Sequence, residues 1–198
     1  VIAIFAIALT TLLFTSLFTI LMSLNESYET YNFRQVGGYA DGTFKELSEE
    51  QVEKIAAHPG IREAGERITC GFNTTGVFGK VPAEVSYMDK NCTKWSYATP
   101  TIGREPEKSN ETAMDTVALK LLGVTPELGA KVTIEYQAGD RTNEGFQETD
   151  TFILSGYWEY DDLMPVHYIN VSKDYVKSVE EKWVASGEKA FRTDLNVM

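Results

Sequence analysis

Residues 1–24 read VIAIFAIALTTLLFTSLFTILMSL, without one charged side chain. As an α-helix rising about 1.5 Å per residue, the segment is about 36 Å long and can cross a hydrocarbon core of about 30 Å. A secretory signal peptide would show a basic start, a shorter apolar stretch and a small-residue cleavage site, and none of these is visible. The sequence therefore predicts one transmembrane helix over residues 1–24. The Lys+Arg total of 18 and the Asp+Glu total of 29 both fall entirely beyond it, leaving a net charge of −11. Residues 25–198 then form an acidic, water-facing domain, which excludes nucleic acid as a partner because phosphate binding needs net positive charge.

Within the apolar helix Thr11, Thr15, Thr19 and Ser23 recur every fourth residue. This stripe is either a face on which another membrane helix packs closely, or a set of hydroxyls bonded back to their own helix. After Leu24 come Asn25, Glu26, Ser27, Tyr28 and Glu29, and the first basic residue is Arg34. Cytoplasmic flanks are rich in Lys and Arg, so this acidic flank places the domain outside the cell, attached to the cell membrane by the single visible span.

Three helices are expected in the domain. Ser48 and Gln51 form a capping box, with Leu47 stapled to Val52, and His58-Pro59-Gly60 ends that helix. Met114, Val117, Ala118, Leu121 and Leu122 have the spacing of a core-facing stripe, capped at the start by Asn110 or Asp115 and at the end by Gly123. A third helix follows Ser172, with Val176, Val179 and Trp183 inward, and ends at Gly187. Residues 131–136 alternate polar and apolar, 139–145 form a turn, and 149–158 complete a hairpin. Residues 61–73, 76–88 and 164–171 also read as strands. The predicted class is α+β: a largely antiparallel sheet with three helices, preceded by one transmembrane helix.

Signs of chemistry are few. His58 and His167 lack the paired spacing of a zinc site. The stretch 71–76 imitates a phosphate loop, but Val77 stands where the lysine must be. Ser186-Gly187-Glu188-Lys189 matches S-x-x-K by letters only, and 140–145 reads as a hairpin turn rather than a calcium loop. Asp161-Asp162 is taken as part of a solvated acidic face. Catalytic, cofactor and metal residues are therefore all expected to be none. A membrane-anchored hydrolase lacks any nucleophile–base pair. Cys70 and Cys92 form either a disulfide or two unbridged thiols. Sequons at Asn25, Asn73, Asn91, Asn110 and Asn170 are glycan sites in a eukaryote and chance in a bacterium.

Four motifs occur in order: Gly103-Arg104-Glu105-Pro106, Asn110-Glu111, Leu121-Leu122-Gly123-Val124, and Leu128-Gly129-Ala130-Lys131-Val132-Thr133. Together with the apolar helix and the acidic domain, this run resembles the extracellular core domain of FtsX-like, MacB-type ABC transporter permeases. In that family a G-R-x-P turn, an N-E step into a helix, an L-L-G helix end and an L-G-x-x-V-T strand start follow one another. Residues 152–161, FILSGYWEYD, further resemble a subgroup from Gram-positive gut bacteria. The resemblance implies a non-enzymatic permease subunit in which Gly103, Arg104, Pro106, Glu111, Leu121, Leu122, Gly123, Leu128 and Gly129 are scaffold residues. It implies a dimer with a second permease copy, contact with membrane lipid, and an extracellular protein partner in signalling members. It also implies a separate cytosolic ABC ATPase subunit that binds the ATP, so that the extracellular domain transmits ATP-driven motion for export or signalling. The family's coupling helix, later spans and second extracellular lobe are absent from the 198 residues, so 25–198 is expected to be incomplete at its C-terminal end. The alternative is a single-span anchored domain that binds or senses an extracellular ligand through exposed Trp95, Tyr97, Tyr157 and Trp158.

Overall fold

The computed structural model describes residues 2–36, 38–139, 146–185, 187 and 190–198. It opens with helix α1 (Ile2–Val36), which buries none of its residues against the rest of the chain. Its most apolar 18-residue window has a mean hydropathy of 2.3 and is 0% buried, so by length and composition the helix is able to cross a membrane. A bare apolar surface of this kind is what lipid would cover.

The rest is α+β. Strand β1 (Gly42–Phe44) and helix α2 (Glu49–Ala56) lead to β2 (Ala64–Asn73). A 3-10 turn (Gly76–Phe78), β3 (Ala83–Met88), α3 (Lys90–Trp95) and β4 (Ile102–Gly103) follow. Then come β5 (Glu111–Asp115), α4 (Thr116–Leu121), β6 (Lys131–Ala138) and β7 (Gln147–Trp158). The chain closes with β8 (His167–Val171), α5 (Lys173–Ala185) and β9 (Arg192–Val197).

The strands lie in the order β1-β9-β2-β3-β8-β5-β7-β4. The β3–β8 and β5–β7 pairings are parallel, and the others are antiparallel. Strand β6 pairs with both β2 and β7. The pairings therefore run from β2 through β3, β8, β5, β7 and β6 back to β2. Closure is tight at Gly71, where an added Cβ would lie 2.2 Å from the Gln137 carbonyl oxygen. The larger core draws on all six of these strands and on α5, with Tyr136, Met114, Phe152, Leu154 and Val176 buried in it. A second, smaller cluster contains Met88, Cys92, Ala98, Ala113, Trp158, Met164, Val166 and Tyr168.

The capping box at Ser48 and Gln51 forms as expected, although α2 buries no residue fully and Val52 and Ile55 are only half-covered. Helix α5 buries Val176, Val179 and Trp183 as its spacing requires. The β6–β7 hairpin alternates exposed and buried residues, while its turn, 140–145, lies outside the described residues.

The middle of the chain differs from expectation. Met114 lies in strand β5 rather than facing inward from a helix, and α4 starts only after Asp115, whose carboxylate accepts from the Ala118 amide. The expected stripe spans that boundary, so Ala118 and Leu119 are buried while Val117 and Leu121 are each 37% exposed. The step at Asn110-Glu111 consequently enters β5, not a helix. Residues 76–88 hold a 3-10 turn before β3 instead of one strand, and α3, β1 and β9 were not anticipated.

Candidate functional site: the joint between helix and domain

Helix α1 does not stop where its apolar part ends. Residues 25–36, NESYETYNFRQV, contain neither glycine nor proline, and the helix runs through them to the domain. Half-buried Arg34 makes the connection. Its Nε donates to Asp161 Oδ2 at 2.8 Å and its Nη1 donates to the Tyr97 hydroxyl at 2.7 Å. The guanidinium carbon also lies 3.8 Å from the centroid of the Tyr97 ring. Gln35 Nε2 donates to the Leu163 carbonyl at 2.9 Å. Phe33 and Tyr39 pack at 5.3 Å between ring centroids, and Tyr39 and Tyr97 at 5.0 Å.

Each receiving group is held from behind. Asp161 Oδ1 accepts from the Leu163 amide at 3.0 Å, and the Asp161 carbonyl accepts from the Met164 amide. Partial burial disfavours the ionised carboxylate. The Arg34 bond, the Leu163 amide and the Arg34 charge outweigh that effect and hold Asp161 below the usual carboxylate range. Tyr97 follows the C-cap of α3, with φ +56 in the left-handed region that side chains avoid. Its phenol lies well above the usual tyrosine range, first because of burial and then because of its hydrogen bond with Tyr39.

Both arms of the joint lead inward. Next to Asp161, the Tyr160 ring packs 4.4 Å from the His167 ring. His167 Nδ1 lies 2.9 Å from Asp115 Oδ2, and Asp115 Oδ1 accepts from the Ala118 amide at 2.7 Å to cap α4. Next to Tyr97, the Ala98 carbonyl accepts from Asn170 Nδ2 of β8 at 3.1 Å. Tyr97 and Tyr160 both pack on the second core. A force on the end of α1 thus meets buried groups of β5, α4 and β8 through short contacts.

Most of the anticipated scaffold residues meet at one stretch of β7. Arg104 donates through both terminal nitrogens to Glu111, at 2.9 and 2.7 Å. Glu111 also accepts from the amides of Glu107 and Lys108. These bonds, the one from Arg104 first, hold Glu111 down to about 2. Pro106 lies half-buried in this turn. Gly103 has φ +82, and a Cβ there would sit 2.3 Å from the Ser155 carbonyl oxygen. The Arg104 amide donates to the Ser155 carbonyl and the Gly129 amide to the Leu154 carbonyl, each at 2.9 Å. Leu128 is 49% exposed and reaches over Gly103. Leu121, Leu122 and Gly123 form the end of α4, away from the turn.

Other anticipated features resolve as follows. Cys70 and Cys92 are free thiols buried in different cores. Burial pushes them up to about 12 and about 11 respectively, so both are inert. Thr11 and Thr15 donate to the carbonyls of Ile7 and Thr11, which is the self-bonded alternative; all four residues of the stripe, including Thr19 and Ser23, are exposed. Trp95 and Trp158 are buried, and Tyr97 and Tyr157 half-buried, so the aromatics do not form an exposed ligand surface. Asp161, read as solvated, is the ionic partner of α1. Asn170 is 1% exposed, which leaves its sequon no room for a glycan. Residues 186, 188 and 189 of the S-x-x-K string, like the calcium-loop stretch 140–145, lie outside the described residues.

The sequence held one signal for the joint: no helix breaker precedes Gly37-Gly38, so Arg34 falls in the last turn of a long helix. Its partners, 63 and 127 residues away, had none.

No family model matches this sequence, and no curated protein matches it. Among solved structures, it is similar to the extracellular domain of the noncanonic ABC-type transporter YknZ from Gram-positive bacteria. The identity is 11% and the TM-score 0.42, over 76% of this chain and 73% of that one.

Proposed function

We propose that this chain is the first membrane span and extracellular domain of an ABC transporter permease of the FtsX/MacB kind, and that it works as a mechanical transmitter. The observation that carries the proposal is the unbroken α1 helix, apolar and bare from Ile2 to Leu24 and then clamped to the domain through Arg34. A flexible tether would serve an anchored binding domain equally well. A helix fixed to its domain by an ion pair, a phenol hydrogen bond and an aromatic stack instead makes the domain follow the tilt of the span.

In this scheme a cytosolic ABC ATPase binds and hydrolyses ATP, a second permease copy completes a dimer, and the first span rocks within the lipid. The domain then moves as one piece outside the cell, for export or for signalling to an extracellular partner. The buried aromatics and the scaffold character of the motif residues support transmission rather than ligand capture or catalysis.

The test has two arms. With Glu53→Cys on the exposed side of α2, a membrane-impermeant maleimide should label intact cells, while the buried native thiols stay silent. Affinity purification of the intact membrane complex should retain an ABC-type ATPase whose nucleotide cycle changes the distance between the two extracellular domains. Labelling only after lysis, or a complex without such an ATPase, contradicts the proposal.

A further inference from the structure

Three buried side-chain atoms among the described residues have no hydrogen-bond partner: Ser86 Oγ, Glu105 Oε1 and Asn170 Oδ1. They belong together. Ser86 and Asn170 are register partners on the parallel strands β3 and β8. Asn170 Nδ2 also donates to Glu105 Oε2 at 3.4 Å. Donation to the Ala98 carbonyl and to Glu105 fixes which end of the Asn170 amide is its nitrogen, so the atom left without a partner is the acceptor Oδ1.

Chemically this is half of a familiar pair. A carboxylic acid and a carboxamide can join through two parallel hydrogen bonds, amide N–H to one carboxyl oxygen and carboxyl O–H to the amide oxygen. Here the first bond is present, and the atoms that would make the second are the two unsatisfied acceptors. An ionised carboxylate cannot make that second bond, because both atoms only accept. One proton on Glu105 Oε1 supplies the missing donor and satisfies both atoms at once.

We infer that Glu105 and Asn170 form a buried proton-binding site, protonated and cyclically paired on its acid side and opened when the proton leaves. Glu105 is set apart from the charges around it. In its own turn Arg104 is committed to Glu111 and, at longer range, to Glu107. On β3 and β8, Glu84 is paired with Arg67 and His167 with Asp115, while Tyr168 lies beside Arg67. On α3, Lys90 and Lys94 are exposed and Cys92 is buried against Ser96. The influences on the Glu105 carboxyl are burial first, then the Asn170 and Thr93 side chains, with no charged group among them. Burial pushes it up to about 7. The native state then holds this proton more tightly than the unfolded chain, so stability is fully present below the ordinary carboxylate range and is lost as pH rises to about 7. The inference is independent of the permease proposal, although the site lies one residue from Tyr97 through Ala98.

The test uses the full chain in lipid nanodiscs and the isosteric variant E105Q, whose amide keeps both a donor and an acceptor for Asn170. In the wild type, the thermal midpoint should fall as pH rises from about 5 to about 7 and level off above that, a window set by the ordinary and the raised carboxyl pKa. The infrared band of a protonated buried carboxyl should disappear as pH passes through about 7. In E105Q the band should be missing and that fall in midpoint removed. An equal fall in E105Q, or no such band in the wild type at about pH 5 where the site should be fully protonated, overturns the inference. The latter result would mean an ionised Glu105 bridged by a water that also serves Ser86. Because the wild-type infrared titration needs no variant, the test stands even if E105Q fails to fold.

Discussion

Helices α3 and α4 end in the same backbone motif with different residues at its critical position. In α4 the Gly123 amide donates to the Lys120 carbonyl and the Val124 amide to the Leu119 carbonyl. In α3 the Tyr97 amide donates to the Lys94 carbonyl and the Ala98 amide to the Thr93 carbonyl. Both are Schellman ends, whose left-handed residue is normally glycine. Gly123, at φ +72, has open space around it and fills that position without steric cost. Tyr97, at φ +56, holds it at a cost of about 1–2 kcal/mol, set by the clash of a Cβ in the left-handed region. The same turn is thus built cheaply where it only ends a helix, and expensively where a ring must meet Arg34 and Tyr39. Strain that packing sustains at one place and not at its counterpart points to a role beyond folding.

The sharpest way to break this contrast is Tyr97→Ala. It keeps the strained φ and removes the ring, and should cost up to about 3 kcal/mol in chemical denaturation of the full chain, the low end for a fully buried aromatic, because the Tyr97 ring is half-buried. Tyr97→Gly should cost about 1–2 kcal/mol less than Tyr97→Ala, because glycine accepts the conformation. Equal losses would show that Tyr97 is not strained. Glu111→Gln should cost about 2 kcal/mol, since it removes the ionic acceptor of Arg104 and of the Glu107 and Lys108 amides in the turn before β5. Glu111 is held low, so its contribution is present above the ordinary carboxylate range and is lost as pH falls towards about 2. The variant should therefore show a shallower acid transition than the wild type.

Gly123→Ala should cost about 1 kcal/mol through φ alone and leave the joint untouched. Smallest in stability is Asp161→Asn, at about 0.5–1 kcal/mol for a partly exposed ion pair. Its main effect should be on geometry, as a wider spread of angles between α1 and the domain.

Features set by near neighbours were legible in the sequence. The Ser48 capping box, the alternation of β6 and the inward face of α5 each depend on residues a few positions apart, and each stands where expected. The boundary between β5 and α4 was not legible, because a helical spacing of apolar residues ran across it and Asn110 competed with Asp115 as the cap. Short α3 carries too few apolar residues for a periodic signal, and β9 finds its place only by pairing with β1 and β2. The motif residues were expected to be scaffold, but the convergence of Arg104 and Gly129 on β7 was not legible, because it follows from closure of the sheet. The joint was the least legible. Tyr97 violates the residue preference of its turn, and Asp161 resembles any other surface acid until the fold brings it to Arg34.

Rigidity at the joint can be measured with spin labels at Glu29→Cys on α1 and Asp162→Cys on the domain, both exposed positions, in the full chain in lipid nanodiscs. A clamped helix predicts one narrow distance distribution in the wild-type background that broadens when Arg34→Ala is added. A distribution already broad with Arg34 in place, and unchanged by its removal, would mean that the span is a loose tether and cannot move the domain.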